Sequence, residues 1–315
     1  MHGIGIVLNP KSRRNLRNPR AAYRLARQLG DNGVVREARS IEELHRIAED
    51  FKNLKIEVLG ISGGDGTSSV TLTGFLKVYQ GMAMPQIALL RGGTMNTVAN
   101  SIGTSQGRPE GLLARLVRSY NERSLKPLDN VERHVMKVGN HYGFLFGSGV
   151  TVGFLREYYR DPEPSPIVAV QTLARGIGSA LIGGETIHRM TAPWTGSVAF
   201  PDGTEWPMRD YLTVAAGTID QVGLNFRPFY RYDRRPNAFQ IVGVHATAVQ
   251  FIPELGRILR AQPMRTDRAF DMLTDRATLI SKEARTHYFI DGDLHESGKE
   301  LEIGIGPRVK IVVIR

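Results

Sequence analysis

The chain has no cysteine among its 315 residues. That absence excludes disulfide bridges, thiolate metal sites, iron–sulfur clusters and a cysteine nucleophile. Long apolar runs are missing too: no stretch approaches the ~18–20 uninterrupted residues of a membrane-spanning helix. Met1 to Pro10 carry neither the basic start nor the extended apolar centre of a secretory signal. The expectation is a cytoplasmic protein, with work at a membrane surface still open. Acid is scarcer than base, 31 Asp and Glu against 41 Lys and Arg, for a formal charge of +10. Partners should therefore be anionic: nucleotides, nucleic acid or an acidic membrane surface.

What is present describes a globular chain. Hydrophobic residues make up 41% and charged residues 23%, enough for a core and too apolar for disorder. Glycine is rich, at 34 residues, so many backbone positions can take positive φ or approach a ligand closely. The length suggests two domains.

The first part alternates strand and helix. Gly3 to Leu8 reads as a buried strand ending at Asn9-Pro10, with Asn18-Pro19 opening a helix whose Ala22, Leu25, Ala26 and Leu29 share one side. Ser40 with Glu43 is a capping-box start for a second helix. Strands follow at Lys55 to Ile61 and Gln86 to Leu90, and helices at Ser68 to Tyr79 and around Leu112 to Tyr120. This order predicts a parallel α/β domain over residues 1–127. Past Pro127 short strand-like runs dominate: His134 to Val138, Tyr142 to Phe146, Ser197 to Phe200, Tyr211 to Ala216, Phe239 to Val244, Ala277 to Ser281, Thr286 to Ile290 and Lys310 to Ile314. With helices around Ile167–Leu181 and Val249–Leu259, residues 128–315 read as a mainly antiparallel β-sandwich whose last strand can return towards the first domain.

Chemistry concentrates in glycine turns at strand ends. In Ile61-Ser62-Gly63-Gly64-Asp65-Gly66-Thr67 three glycines let backbone N–H groups approach phosphate oxygens, and the helix that follows adds its positive end. Asp65 repels bare phosphate, so it suits a Mg²⁺ partner or a base; a glycine turn capped by Asp is the plainer alternative. Arg91-Gly92-Gly93-Thr94-Met95-Asn96 is a second such turn, with side-chain donors on Thr94 and Asn96. Asn9-Pro10-Lys11-Ser12 is a third strand end and by itself an ordinary turn. There is no G-x-x-x-x-G-K-[ST] loop, no complete dinucleotide fingerprint after Gly3-Ile4-Gly5 and no H-E-x-x-H pair.

The order Asn9-Pro10-x-Ser12, Gly63-Gly64-Asp65-Gly66-Thr67, Gly93-Thr94-x-Asn96-x-x-Ala99 and Asp291-Gly292-Asp293 resembles the diacylglycerol kinase catalytic-domain family, which includes kinases of diacylglycerol, sphingoid bases and ceramide. The resemblance implies a phosphofructokinase- and NAD kinase-like nucleotide domain followed by a β-sandwich, with the active site in the cleft between them. It implies an ATP-dependent lipid kinase using Mg²⁺. Gly63, Gly64, Asp65, Gly66, Thr67, Ser68, Ser69, Gly93, Thr94 and Asn96 would then surround the ATP phosphates, with Asn9, Ser12 and Ser40 beside the nucleotide. Asp65 would place the metal or assist the base, and Asp291 and Asp293 would form the late catalytic acid element, Asp293 taking the proton of the lipid hydroxyl. A hairpin turn with two surface acids is the alternative there.

The sequence departs from the family in three places. The family usually ends the last motif in Glu, where this chain has Asp293. The stretch Gly147 to Gly153 lacks an Asp-Ala pair common in the family. Tyr232-Asp233-Arg234-Arg235-Pro236 stands where bacterial members often hold a structural Mg²⁺, and its two arginines oppose a divalent cation. A soluble-substrate kinase resembling NAD kinase, or a nucleotide- or anionic-lipid-binding protein without strong catalysis, remain as alternative functions.

Residues 1–30 hold seven basic side chains and no acid. Arg17, Arg20, Arg24 and Arg27 are spaced to lie near one another on a helix, either to meet anionic headgroups or as a solvated face with acid partners from elsewhere. Phe226 to Tyr232 interleaves aromatic and basic groups and reads first as a half-buried strand with its arginines outside, with an interfacial membrane contact or a nucleic-acid stacking surface as alternatives. Expected partners are a lipid substrate at an anionic membrane surface and no nucleic acid, with a homodimer left open.

Overall fold

The computed structural model describes residues 3–161, 163, 165–182 and 192–315. They divide into two compact units, Met1–Arg133 with Arg308–Arg315, and His134–Pro307.

The first unit is a parallel sheet built by β1 (Ile4–Leu8), β2 (Gly33–Glu37), β3 (Val58–Ser62) and β4 (Gln86–Leu89) in the order β2-β1-β3-β4. A late strand, β16 (Glu300–Val312), adds its end beside β4 in parallel, Ile311 opposite Ile87. One sheet face is covered by α2 (Ala21–Leu29) and α6 (Pro109–Asn121): Ile4, Ile6, Leu8, Leu25, Leu29, Leu112 and Leu116 share one cluster. α3 (Ile41–Asn53) and α4 (Asp65–Tyr79) pair with each other, Phe51 edge-on to Phe75. Gly5 is what lets α3 approach β1, since a β-carbon there would lie 2.4 Å from the Phe51 ring.

Several boundaries move from the sequence expectation. Arg20, not Asn18, occupies the N-cap position of α2; Asn18 opens the turn before it, its carbonyl accepting from Ala21 N–H. The short helices α1 (Arg13–Leu16) and α5 (Thr97–Ser101) and the edge strand β2 were not foreseen. Each has five residues or fewer, too short for a period to emerge.

The second unit stacks two antiparallel sheets. One has the order β12-β11-β10-β7-β14-β15, from β12 (Ala269–Thr274), β11 (Phe239–Val244), β10 (Thr213–Gly217), β7 (Leu145–Ser148), β14 (Thr286–Ile290) and β15 (Asp293–Ser297). The other joins β16 to β13 (Arg276–Ser281), β8 (Trp194–Ala199) and β9 (Glu205–Tyr211), with β5 (Asn130–Val138) and β6 (His141–Gly143) attached through β16. Phe146, Val214, Phe239, Ile241 and Ile290 from the first meet Val198, Trp206, Leu279 and Ile303 from the second in one buried cluster, the interleaved interior of a sandwich. Among the described residues three helices accompany it: α7 (Val150–Arg160), absent from the sequence expectation, α8 (Pro166–Ile182) and α9 (Ala248–Leu259). The Phe226–Tyr232 stretch is loop and turn rather than strand, and Arg231 is half-buried on Asp271 at 2.8 Å. α8 turns Ala169, Thr172 and Gly176 inward and leaves Ile167 and Val170 exposed.

No helix among the described residues is long and apolar enough to cross a membrane.

Candidate active site

In the first unit the three strand ends that the sequence marked, those of β1, β3 and β4, lie along one edge together with the end of β2. Leu8 is level with both Glu37 and Ser62, and β4 runs parallel beside β3. The carboxyl edge of an open parallel sheet is where ligands collect. Asn9, Ser40, Gly63 and Gly93 all follow there.

The two glycine turns touch through backbone. Gly92 N–H donates to the Gly63 carbonyl at 2.8 Å. A β-carbon on Gly93 would lie 2.3 Å from Gly64 Cα, and one on Gly92 would lie 2.7 Å from Gly63 N. Side chains cannot occupy those positions, so the glycines are required by the turns' mutual contact as well as by any phosphate. α4 begins at Asp65 with Gly64 as N-cap and no side-chain cap. Its first N–H groups carry a helix's positive end at the strand edge.

Asn9 ties the first strand end to this turn, its Nδ2 donating to Thr67 Oγ1 at 3.2 Å while its Oδ1 accepts from Lys11 N–H at 2.9 Å. Asn15, not foreseen, donates to the Asn9 carbonyl at 2.8 Å. Ser12 Oγ is buried without a hydrogen-bond partner in the described structure, a donor available to a ligand. Ser68 Oγ donates back to the Gly64 carbonyl at 3.1 Å. Ser40 is an exposed helix cap, accepting from Glu43 N–H at 3.2 Å, while the Glu43 carboxylate reaches Arg39 N–H; the capping alternative describes it.

Asp65 holds the second turn. Its Oδ2 accepts from Thr97 N–H at 3.0 Å and its Oδ1 from Val98 N–H at 3.4 Å, so it caps α5 from across the sheet edge. Burial raises its pKa, against the lowering effect of those N–H groups and of Arg91. Asn96, at φ 48°, folds onto Gly93: its Oδ1 accepts from Gly93 N–H at 3.1 Å and its Nδ2 donates to the Gly93 carbonyl at 2.8 Å. Its polar atoms thus fix the turn instead of standing free as donors. Arg91, quoted in the motif but given no role, is buried at φ 43° and binds Asn100 Oδ1 at 2.6 Å and the Thr104 carbonyl.

Magnesium fits this turn only as a partner of bound phosphate. Among the described residues no three metal-ligating side chains cluster. Asp65 is the one carboxylate of the Gly63–Ser69 turn, and it retains lone pairs beyond its two N–H contacts. The stretch around Asp233 is exposed and forms no metal cluster either.

The late acidic element is a two-residue hairpin turn between β14 and β15. Asp291 and Gly292 take φ 47° and 92°, and Ile290 pairs with Asp293. The two acids differ sharply. Asp291 is 2% exposed, and its carboxylate accepts from Phe144 N–H and Leu145 N–H at distances down to 2.9 Å. It clamps the hairpin to the chain between β6 and β7. Asp293 is half-buried, and burial pushes its pKa up to about 6. Among the described residues no group hydrogen-bonds its carboxylate. The surface-acid alternative therefore describes neither. Tyr159 on α7, missed in the sequence, donates to the Gly292 carbonyl at 2.9 Å. His295, two residues along β15, lies 4.2 Å from His141 ring to ring, and burial with that neighbour lowers its pKa to about 4.

Residues 4–127 match the family model of the diacylglycerol kinase catalytic domain. The match falls within the first unit. The whole chain is similar in fold to a crystal structure of a diacylglycerol kinase from Bacillus anthracis, with a TM-score of 0.65 at 14% identity, covering 99% of this chain and 97% of that one. A second crystal structure from the same organism aligns with a TM-score of 0.68 at 14% identity over the same shares. No curated protein matches the chain in sequence. The matched stretch contains both glycine turns, Gly63–Gly64 and Gly92–Gly93.

Proposed function

We propose that the protein is an ATP-dependent lipid kinase that phosphorylates a hydroxyl of diacylglycerol, ceramide or a related lipid at a membrane surface. The observation that carries the reading is the backbone contact between the Gly63–Gly64 and Gly92–Gly93 turns at the start of α4. The contact sets the start of α4, which has no side-chain cap, beside a second glycine turn, and an uncapped helix N-terminus is what a triphosphate needs.

In this reading the turns and Ser12 hold the ATP phosphates, while Asn96 and Arg91 fix the second turn. Asp65 is the carboxylate that would share Mg²⁺ with the phosphate oxygens; when bound, the ion would neutralise phosphate charge. Burial without a cation opposes ionisation of Asp65, and a cation there would relieve it. Asp293 is the base. With its pKa raised to about 6, it is ionised at neutral pH yet a better proton acceptor than an ordinary carboxylate. It takes the proton of the acceptor O–H as that oxygen bonds to the γ-phosphorus and the bond to the ADP oxygen breaks. Asp291 and Tyr159 position the turn that carries it.

The test is labelled ATP with diacylglycerol, ceramide, sphingoid and polyprenol acceptors. Labelled product in the organic phase is expected. Label only in an aqueous product would mean a soluble-substrate kinase, and no transfer would mean a binding protein.

A further inference from the structure

The reaction leaves unused the outer face of α2. Arg20, Tyr23, Arg24 and Arg27 are spaced i, i+3, i+4, i+7 and therefore form one stripe. Ala21, Leu25 and Leu29 are the buried residues of the helix, on the opposite side. All four stripe residues are exposed, Tyr23 at 67%, and Leu16 at the end of α1 is 64% exposed.

Acid partners are missing. Among the described residues Arg20, Arg24 and Arg27 make no ion pair, and α2 has no acid in its first turn. Four other exposed arginines of the same unit are paired, Arg36 with Asp50, Arg39 with Glu37, Arg123 with Glu57 and Arg315 with Asp129; Arg46, Arg108 and Arg118 are exposed without an ion pair as well, but do not share a helix face with an exposed aromatic ring. Like charges at this spacing destabilise a helix, so a solvated face has no use for three of them around a tyrosine. An aromatic ring with a polar tip set among guanidinium groups suits a headgroup layer, where phosphate diesters meet the first apolar carbons.

We propose that the Arg20–Tyr23–Arg24–Arg27 face docks the protein onto anionic phospholipid membrane. The proposal deepens the lipid-kinase reading and rests on it for the choice of membrane over nucleic acid as the polyanion.

The full chain is tested by co-sedimentation with vesicles of phosphatidylcholine alone and mixed with phosphatidylglycerol, at low and high salt. Binding only to the mixed vesicles, weakened by salt, is expected. Replacing the three arginines (R20Q/R24Q/R27Q) should lower partitioning on the order of a hundredfold. Tyr23→Ala should lower it several-fold, and both variants should keep the wild-type melting temperature. Activity on a short-chain, dispersed acceptor should not change in the triple variant. Vesicle binding unchanged in the triple variant, or tighter binding of a duplex DNA probe than of the mixed vesicles at the same salt, would overturn the proposal. Vesicle binding by a wild-type protein with no kinase activity would uphold the docking face and defeat the lipid-kinase reading separately.

Discussion

Gly93 and Gly64 approach so closely that a β-carbon on Gly93 would lie 2.3 Å from Gly64 Cα, whereas one on Gly64 would lie 3.1 Å from Gly93 Cα. The obstructing atoms are backbone, so Gly93→Ala must push the two turns apart. We expect Gly93→Ala to abolish nucleotide binding measured by calorimetry and to destabilise the first unit by ~1–3 kcal/mol. Gly64→Ala should be milder in both readouts. Unimpaired ATP binding in Gly93→Ala would remove the phosphate-cradle reading.

Asp65 has a structural and a proposed chemical task, and substitutions separate them. Asp65→Ala removes the acceptor for Thr97 and Val98 N–H, a loss of about 0.5–2 kcal/mol by analogy with other helix caps. Asp65→Asn keeps one acceptor oxygen and should recover most of that stability. Both should be inactive in the labelled-ATP assay; activity in Asp65→Asn would show the carboxylate charge to be dispensable.

Asp293 and Asp291 should respond in opposite ways. Asp291→Ala leaves Phe144 and Leu145 N–H unpaired in the interior, at ~1–3 kcal/mol for each orphaned group, and should lower the melting temperature and activity together. Asp293→Asn should eliminate phosphoryl transfer without loss of stability. A stable, inactive Asp291→Ala beside an active Asp293→Asn would exchange their roles.

The pH dependence follows from the raised Asp293 pKa of about 6. Because the folded value exceeds the unfolded value of ~3.9, the folded state binds the extra proton between them. The group is neutral for stability below that window and becomes a cost as pH rises through about 6. Asp293→Asn should therefore stabilise the protein relative to wild type at pH ~7.5 and converge with it near pH ~4. In the proposed kinase reaction the acid limb of kcat/KM of the wild-type protein should fall near pH ~6. Melting curves of the two proteins that differ equally at both pH values would contradict the assignment.

Glu254, 1% exposed on α9, is ringed by Arg257, Arg265 and Arg268 at 3.2–3.8 Å. Glu254→Ala leaves that cluster without its anion and should cost on the order of 3 kcal/mol in denaturant unfolding, with the first unit's nucleotide binding intact.

The strand–turn–helix order was legible in the chain because apolar runs such as Lys55 to Ile61 and Gln86 to Leu90 are local patterns. So were the glycine turns, as glycine runs directly after apolar strands; what excludes a side chain at Gly92 and Gly93 is the backbone of the distant Gly63–Gly64 turn. Residues whose partners lie far along the chain were not legible. Asp65 meets Thr97, Asp291 meets Phe144, and Tyr159 meets Gly292; no local period encodes such pairings. α7 was hidden because Gly149 and Gly153 resemble a turn, although Gly149 serves as its N-cap.

The sequence by itself determined the family motifs, the basic stripe of the first thirty residues and the glycine turns that follow the strands. Folding decided which carboxylates are free. Asp65, Asp291 and Asp293 look alike in the chain, but backbone N–H groups occupy the first two, while the third is half-buried with its pKa raised by desolvation. Desolvation and hydrogen bonding depend on neighbours brought in from distant segments, so composition and spacing cannot specify them.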